Sequence, residues 1–369
     1  MGPYRETRNA ACVLIAVILW CVTGFAGAEF VTVDERLGLP RSMGGPSSVT
    51  SALVALGRTM FSDPRLSRDG TVACINCHDP ARAFTDARPT SVGLGGAAGT
   101  RNAPSLINVE YSTRLLWDGR RATLEAQAGA PFVNSREHGF TDDSELVRSI
   151  IALDDYRAAV DAAIGRSRQL TPSDIERALA AFMRTLTVGD SPFDRYFYAG
   201  DKSALSERAR RGLELFRGAA GCAQCHTIGD DSALFTDGDY HGVAIGTARV
   251  SDLSGTTRRA VSLHPDRIDE AIALDPDIAA LGRFVITRDA RDIGKYRTPS
   301  LRNVGMTAPY MHDGSVDTLA RAVDMELYYR GTRQGRPPVL TVTQREDLVS
   351  FLESLTSDCV KRMTCSFFR

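Results

Sequence analysis

The sequence predicts a mainly α-helical protein made of two halves laid out on one plan. Three observations predict it. Capped, amphipathic helix patterns are frequent while strand patterns are scarce. A series of short patterns recurs in the same order in both halves. One Cys-x-x-Cys-His pentad stands in each half, Cys74-Ile75-Asn76-Cys77-His78 and Cys222-Ala223-Gln224-Cys225-His226.

The helices come first. Thr171-Pro172-Ser173-Asp174 supplies a cap, an N1 proline and an acidic N3, and Ile175, Leu179, Phe182, Met183 and Leu186 then share one face. Ser206 caps a helix carrying Leu213, Leu215 and Phe216. Thr343-x-x-Glu346 reads as a capping box ahead of Leu348, Leu352 and Leu355. Gly-, Pro- and Asp-rich loops separate the helices, the longest at 87–104 and 228–258.

The repeat is ordered. Gly57-x-x-x-Phe61 precedes the first pentad and Gly212-x-x-x-Phe216 the second. Phe-Thr-Asp follows each pentad, at 84–86 and 235–237, and "PSLINV" (104–109) matches "PSLRNV" (299–304). Thirteen residues after each of those prolines stand Trp117-Asp118-Gly119 and His312-Asp313-Gly314. Thr123-Leu124 and Thr318-Leu319 then open a helix in each half, so that Gln127 to Pro131 correspond to Ala322 to Glu326. The first of these stretches offers no good iron ligand, whereas the second offers Met325, with Glu326, Tyr328 and Tyr329 close behind. The plan breaks near 187–205, which predicts domains over 29–190 and 191–369.

The pentads give the halves their chemistry. Two thiols at this spacing add to the two vinyl groups of a haem, and the adjacent histidine ligates its iron from one face. Zinc ribbons place their cysteine pairs far closer than the 148 residues between Cys74 and Cys222. Thioredoxin-like redox pairs need a βαβ context that this sequence lacks. The expectation is two cytochrome c-like domains, each with one covalent haem c, His78 and His226 being the proximal ligands.

Composition sets the compartment. Hydrophobic residues make up 43% and charged residues 24% of 369, an ordinary globular balance. Arg5 and Arg8, an apolar run from Ala11 to Val22 and Ala26-Gly27-Ala28 form a secretory signal over 1–28. Its removal takes two arginines and one glutamate, so the net charge of −1 becomes −2. No polybasic run points to nucleic acid, and no later stretch is apolar enough to span a bilayer. Six cysteines remain in the exported chain. Cys359 and Cys365 stand outside the pentads, either as a disulfide or as two free thiols.

Taken together, the pentads, "RNAPSLINV", "LLWDGRRATLEAQA", "SPFDRYFYAGD", "TPSLRNVGMTAPYMHDGS" and the last capped helix resemble the bacterial di-haem cytochrome c peroxidase superfamily, MauG-type enzymes included. The resemblance runs from about Gly57 to Leu355. It implies that one haem binds hydrogen peroxide, that the other stores or relays an electron, and that a tryptophan lies between them. Carried over, Trp117 is that tryptophan. Glu137 in "NSREHGF" is the acid over the peroxidatic haem, with His138 a rival, and Gln127 is a distal polar residue. An acid there moves the proton that O–O cleavage requires. Asn102, Thr307 and Pro309 match the positions that hold a calcium ion, which takes carbonyl as well as side-chain oxygens.

The sequence also departs from that family. Leu94, in "PTSVGLGGAAGTRNAP", occupies the place of a loop histidine that closes the peroxidatic iron in many members, and the loop holds no histidine, methionine or lysine. An open first haem is expected, as in the MauG-type branch. For the second haem, Met325 is the expected distal ligand and Tyr328 the alternative. Glu326 stands fourteen residues after His312, where the family usually carries Met or Tyr. Met311 is read as packing, and His241 and His264 as surface residues. The expected activity is peroxide-driven oxidation of a partner protein through long-range electron transfer. The alternatives are a scavenger fed by a small cytochrome or cupredoxin, and a non-enzymatic di-haem electron carrier.

Overall fold

Many helix starts in this chain are set by side-chain caps, as at Thr50, Thr123, Thr171 and Ser206. A computed structural model describes Gly2 and residues 36–41, 49–242, 245–334 and 337–368. The proposed signal over 1–28 lies outside the described residues, Gly2 apart. Thr50 caps α1 (Ser51–Ser62) and Thr123 caps the short α2 (Leu124–Gly129). Then come α3 (Asp143–Ile151), α4 (Asp154–Ile164) and α5 (Pro172–Arg184). Helix α5 carries the predicted Thr171–Asp174 box. Ser191 and Asp194 form a second box at α6 (Pro192–Phe197), and Ser206 caps α7 (Glu207–Arg217) as expected.

The stretch after the second pentad is helical from the last residues of the loop expected over 228–258 onward. It carries α8 (Leu253–Ser262), α9 (Ile268–Leu274), α10 (Pro276–Ala280) and α11 (Phe284–Thr287). Two three-residue strands, β1 (Tyr240–Gly242) and β2 (Lys295–Arg297), pair antiparallel across it, Tyr240 opposite Arg297. The chain closes with α12 (Leu319–Gln334), α13 (Val342–Glu353) and α14 (Asp358–Arg362). The box on α13 is formed by Thr341 and Gln344, not by Thr343 and Glu346. The helix therefore starts one residue before Thr343, which falls inside the first turn.

Apolar burial organises these elements into three clusters. The first packs α1, α2 and α5 around Met60, Phe61, Phe132 and Leu179, and takes in Val360, Cys365 and Phe367 from the C-terminal tail. The second packs α7, α12 and α13 around Phe193, Phe216, Phe235 and Phe351. A smaller third cluster joins Ala260, Ile272, Ile278 and Phe284. Gly57 and Gly212 allow the central crossings. A Cβ on Gly57 would lie 1.9 Å from the Ala178 carbonyl oxygen, and one on Gly212 would lie 2.0 Å from that of Asp347. Helix α1 thus touches the backbone of α5, and α7 that of α13. Cys359 and Cys365 are joined as a disulfide, their Cα atoms 4.8 Å apart.

Candidate functional site

Each pentad folds as one tight turn, Cys74–Asn76 and Cys222–Gln224. The His78 N–H donates to the Cys74 carbonyl and the His226 N–H to the Cys222 carbonyl, both at 2.9 Å, so the histidine returns beside its cysteine pair. The imidazoles are then oriented in the same way. His78 Nδ1 lies 3.0 Å from the Phe84 carbonyl oxygen, and His226 Nδ1 lies 2.8 Å from that of Phe235. A proton held on Nδ1 by a carbonyl leaves the lone pair on Nε2, the arrangement of an iron-ligating histidine. Burial pushes the His78 pKa down, against the opposing carbonyl of Phe84, and so favours the neutral ring. Burial also pushes the Cys74 thiol up to about 12 and that of Cys77 up to about 11.

The two carbonyls are aimed by unusual backbone. Phe84 and Phe235 have φ of 58° and 53°, left-handed values that cost a bulky residue about 1–2 kcal/mol. Phe-Thr-Asp, noted in the sequence only as a repeat, is the segment that supplies each histidine's acceptor. Paired left-handed residues continue along both halves, Asn108 with Asn303 and Leu116 with Met311.

One cavity of about 540 Å³ takes Cys74, His78, Cys222, His226 and Trp117 in its wall. Trp117 Nε1 donates to the Asn102 carbonyl at 2.9 Å, which fixes the indole, and the Trp117 carbonyl accepts from Arg297 N at 2.8 Å, which fixes its main chain. Leucines and valines make much of the remaining wall, which suits a large flat apolar ligand at each pentad. Gln127, on α2, reaches this wall, and its Oε1 is buried without a hydrogen-bond partner. A buried acceptor left open in this way awaits a donor from a ligand or water.

Glu137 lies close enough for its charge to act on both Cys74 and Cys77. Asn134 Nδ2 donates to its Oε1 at 2.7 Å. Desolvation by the packed wall behind the carboxyl raises its pKa; Arg120 opposes the rise and Asp269 adds to it. The side chain still has an outer face in solvent. His138 is 3% exposed, with Nδ1 2.6 Å from the Leu66 carbonyl oxygen and its ring edge-on to Phe132. Its ring is packed against Phe132, and it is absent from the cavity wall that takes the pentads. Leu94 Cδ2 covers Gly139, 2.5 Å from where a Cβ would stand, so an apolar side chain closes the loop against the Glu137 segment.

The second half differs on α12. Leu319, Ala322, Val323, Glu326 and Leu327 line the cavity, a spacing that puts them on one helical face. Met325 and Tyr328, the expected distal ligand and its alternative, are not in that wall. Successive residues turn by about 100° in a helix, so Met325 points to the side and Tyr328 to the opposite face. Tyr328 is 59% exposed and meets Tyr329 edge-on. Glu326 is the residue of this group that reaches the cavity, and its spacing from His312 was the signal for it.

Other candidates are placed as follows. Asn102, Thr307 and Pro309 all line the cavity, but none is a carboxylate; Asn102 Nδ2 donates to the Arg88 carbonyl at 2.8 Å. Met311 is also in the wall, and His312 stacks on Tyr296 with ring centres 3.9 Å apart. His264 is exposed, as expected. His241 is exposed too, yet it reaches the cavity rim, with Nε2 2.7 Å from Asp237. Nothing in the sequence pointed to Asp269, which crosses from α9 to pair with Arg120 at 2.6 Å and with Arg121.

Residues 51–203 match the family described as di-haem cytochrome c peroxidase. The methylamine utilization protein MauG of Methylorubrum extorquens is 33% identical over 358 residues, covering 92% of this chain and 91% of its own. The cytochrome-c peroxidase IdrP2 of Denitromonas iodatirespirans is 31% identical, covering 96% and 92%. Among solved structures, a MauG-like protein associated with microbial copper homeostasis superposes with a TM-score of 0.71 at 31% identity, covering 90% of this chain and 97% of that one. Similarity of this extent, on a cavity that takes both pentads and Trp117, makes the chain a member of the di-haem cytochrome c peroxidase family.

Proposed function

We propose that this enzyme is an exported, MauG-like member of the family, which uses hydrogen peroxide to oxidise a partner protein over a distance. The two halves, 29–190 and 191–369, are read as duplicated cytochrome c-like domains. Cys74 and Cys77 would hold one haem c by thioether bonds, Cys222 and Cys225 the other, and His78 and His226 would be the iron ligands. Haem iron at the two sites would supply the redox chemistry, for which the chain's own residues prepare the pocket.

The chain's own residues divide the remaining work. Glu137 takes a proton from the near oxygen of peroxide and returns it to the departing one, a task suited to a carboxyl whose pKa is raised towards working pH. Gln127 Oε1 accepts a hydrogen bond from the incoming molecule. Trp117, anchored to the Asn102 carbonyl, bridges the two sites. Glu326, in place of Met325 or Tyr328, would be the oxygen ligand offered to the second site from α12. Asn102, Thr307 and Pro309 are assigned to a calcium ion. Chelation would test that assignment by altering the spectrum of the neighbouring sites.

The observation that carries this reading is the asymmetry of two corresponding helices: α2 turns an amide toward the cavity where α12 turns a carboxyl group. Optical and EPR spectra of the oxidised protein test it. One high-spin and one low-spin haem are expected, and one equivalent of peroxide should abolish the high-spin signal without prior reduction. Two low-spin signals that peroxide leaves unchanged would identify an electron carrier instead. Rapid turnover with a reduced small cytochrome or cupredoxin would favour a scavenger. An intact mass beginning after Ala28 and carrying two haems tests export and attachment together.

A further inference from the structure

The two proximal histidines are held by the same device but not by the same neighbours. At each site a left-handed phenylalanine turns its carbonyl toward Nδ1, and the conformation persists only because the ring is packed in place. Phe235 is gripped by Phe193, Phe216 and Phe351, with ring centres at 5.1, 6.3 and 6.4 Å, all within the second cluster. Phe84 has Phe61 of α1 at 6.2 Å, and on another side Phe367, edge-on at 5.9 Å. Phe367 comes from the C-terminal tail.

A residue so near a chain end would ordinarily fray. This one is tied down. Cys365, two residues earlier, is fully buried and bonded to Cys359 at the start of α14. Thr364 N donates to the Cys359 carbonyl at 2.8 Å, which closes the small loop. Arg58 of α1 donates to the Phe367 carbonyl at 3.2 Å, and the Phe367 side chain is 7% exposed. Contact therefore runs unbroken from the disulfide to Phe367, to the Phe84 ring, to the Phe84 carbonyl and to His78 Nδ1.

We propose that the disulfide-anchored tail is a positioning element for His78, with Phe367 as the positioning residue. By holding the Phe84 ring, Phe367 holds the carbonyl that polarises the imidazole. A stronger Nδ1–H···O bond gives the ring more imidazolate character and makes it a stronger donor to iron. The second site has no share in this control, because Phe235 is packed by its own half. The inference rests on the assignment of His78 as an iron ligand.

The test uses the holoenzyme and three variants, Phe367→Ala, Phe367→Leu and the double change Cys359→Ser with Cys365→Ser. The readouts are the iron–histidine stretch of the reduced first haem by resonance Raman and the midpoint potentials of both haems. Phe367→Ala and the double variant should lower the stretching frequency at the first site and raise its potential, leaving the second site unmoved. Peroxide reactivity should fall by roughly 10-fold. Phe367→Leu should recover much of the wild-type frequency. An unchanged first site in both, or equal shifts at both sites, overturns the proposal. Should the variants not fold, reducing and alkylating the disulfide in folded wild-type enzyme must produce the same first-site shift. A haem count by mass comes before these readings: a folded chain with no haem on Cys74 and Cys77 overturns the functional reading, and this proposal with it.

Discussion

Glu326 and Met325 are neighbours, and a single helical step decides which of them meets the second site. The wall spacing on α12 selects Glu326, so Met325→Leu should leave the low-spin spectrum of the oxidised enzyme as it is. Glu326→Met should alter that spectrum and raise the potential of the second haem by on the order of 100 mV, a fraction of the ~0.8 V that axial ligands span. Redox titration reads both, and a potential that follows Met325 would return the role to the thioether. Glu137 makes a different kind of prediction. Its pKa is raised and its carboxylate is the form that accepts a proton, so the peroxide reaction should speed up as pH rises through a range above that of an ordinary glutamate. Asp269→Asn removes a charge that raises this pKa and frees Arg120 to lower it further, so the acidic limb should move to lower pH. Glu137→Gln should abolish the limb and slow the reaction by about 10²–10⁴-fold. Stopped-flow rates across pH decide it, and an unmoved limb in Asp269→Asn would remove Asp269 from the account.

At the scale of elements, the Gly-x-x-x-Phe patterns that precede the pentads prove to be helix crossings. Gly57 and Gly212 each sit against a neighbour's carbonyl oxygen, so an added methyl must push two backbones apart. Gly57→Ala and Gly212→Ala should each cost about 3 kcal/mol, the upper end of overpacking penalties, despite the better helix propensity of alanine. Urea unfolding measures this, and a loss under about 0.5 kcal/mol would mean that the crossings are loose. These elements also mark what was legible in the sequence. Caps at Thr171 and Ser206 are local chemistry and were readable in place, as were the pentads. The start of α13 was not, because Thr341, Thr343, Gln344 and Glu346 offer two overlapping boxes and only packing chooses between them. Helices α9 to α11 lie in Asp- and Pro-rich sequence whose burial comes from a separate small cluster. The purpose of Phe-Thr-Asp was hidden for another reason: a positive φ at phenylalanine is a tertiary effect that no local propensity announces.

At the scale of the whole molecule, the region where the repeat breaks, 187–205, is a seam bonded on several sides. Asp190 N donates to the Leu37 carbonyl at 2.9 Å, Phe193 N donates to that of Ser354 at 3.2 Å, and Ser357 Oγ bonds the Gly189 carbonyl. Its centre is the buried pair of Arg302 and Asp194, 2.8 Å apart with side chains 2% and 0% exposed. Arg302 uses all three nitrogens of its fork: Nε donates to the Ala233 carbonyl, Nη1 and Nη2 bind the two Asp194 oxygens, and Nη2 also reaches the Gly38 carbonyl. Asp194 meanwhile closes the cap of α6 through Ser191. Buried pairs of this kind add little net stability against an apolar substitute, but removing one member strands the other charge. Arg302→Ala should therefore cost about 3–5 kcal/mol, and Arg302→Lys should not restore it, since an ammonium cannot meet a bidentate carboxylate and two carbonyls at once. Because the seam ties residues before the first pentad to segments beyond the second, the loss should appear as one transition at lower temperature in calorimetry of the holoenzyme. A second, separate transition, with the first unmoved, would mean that the halves hold together without this pair.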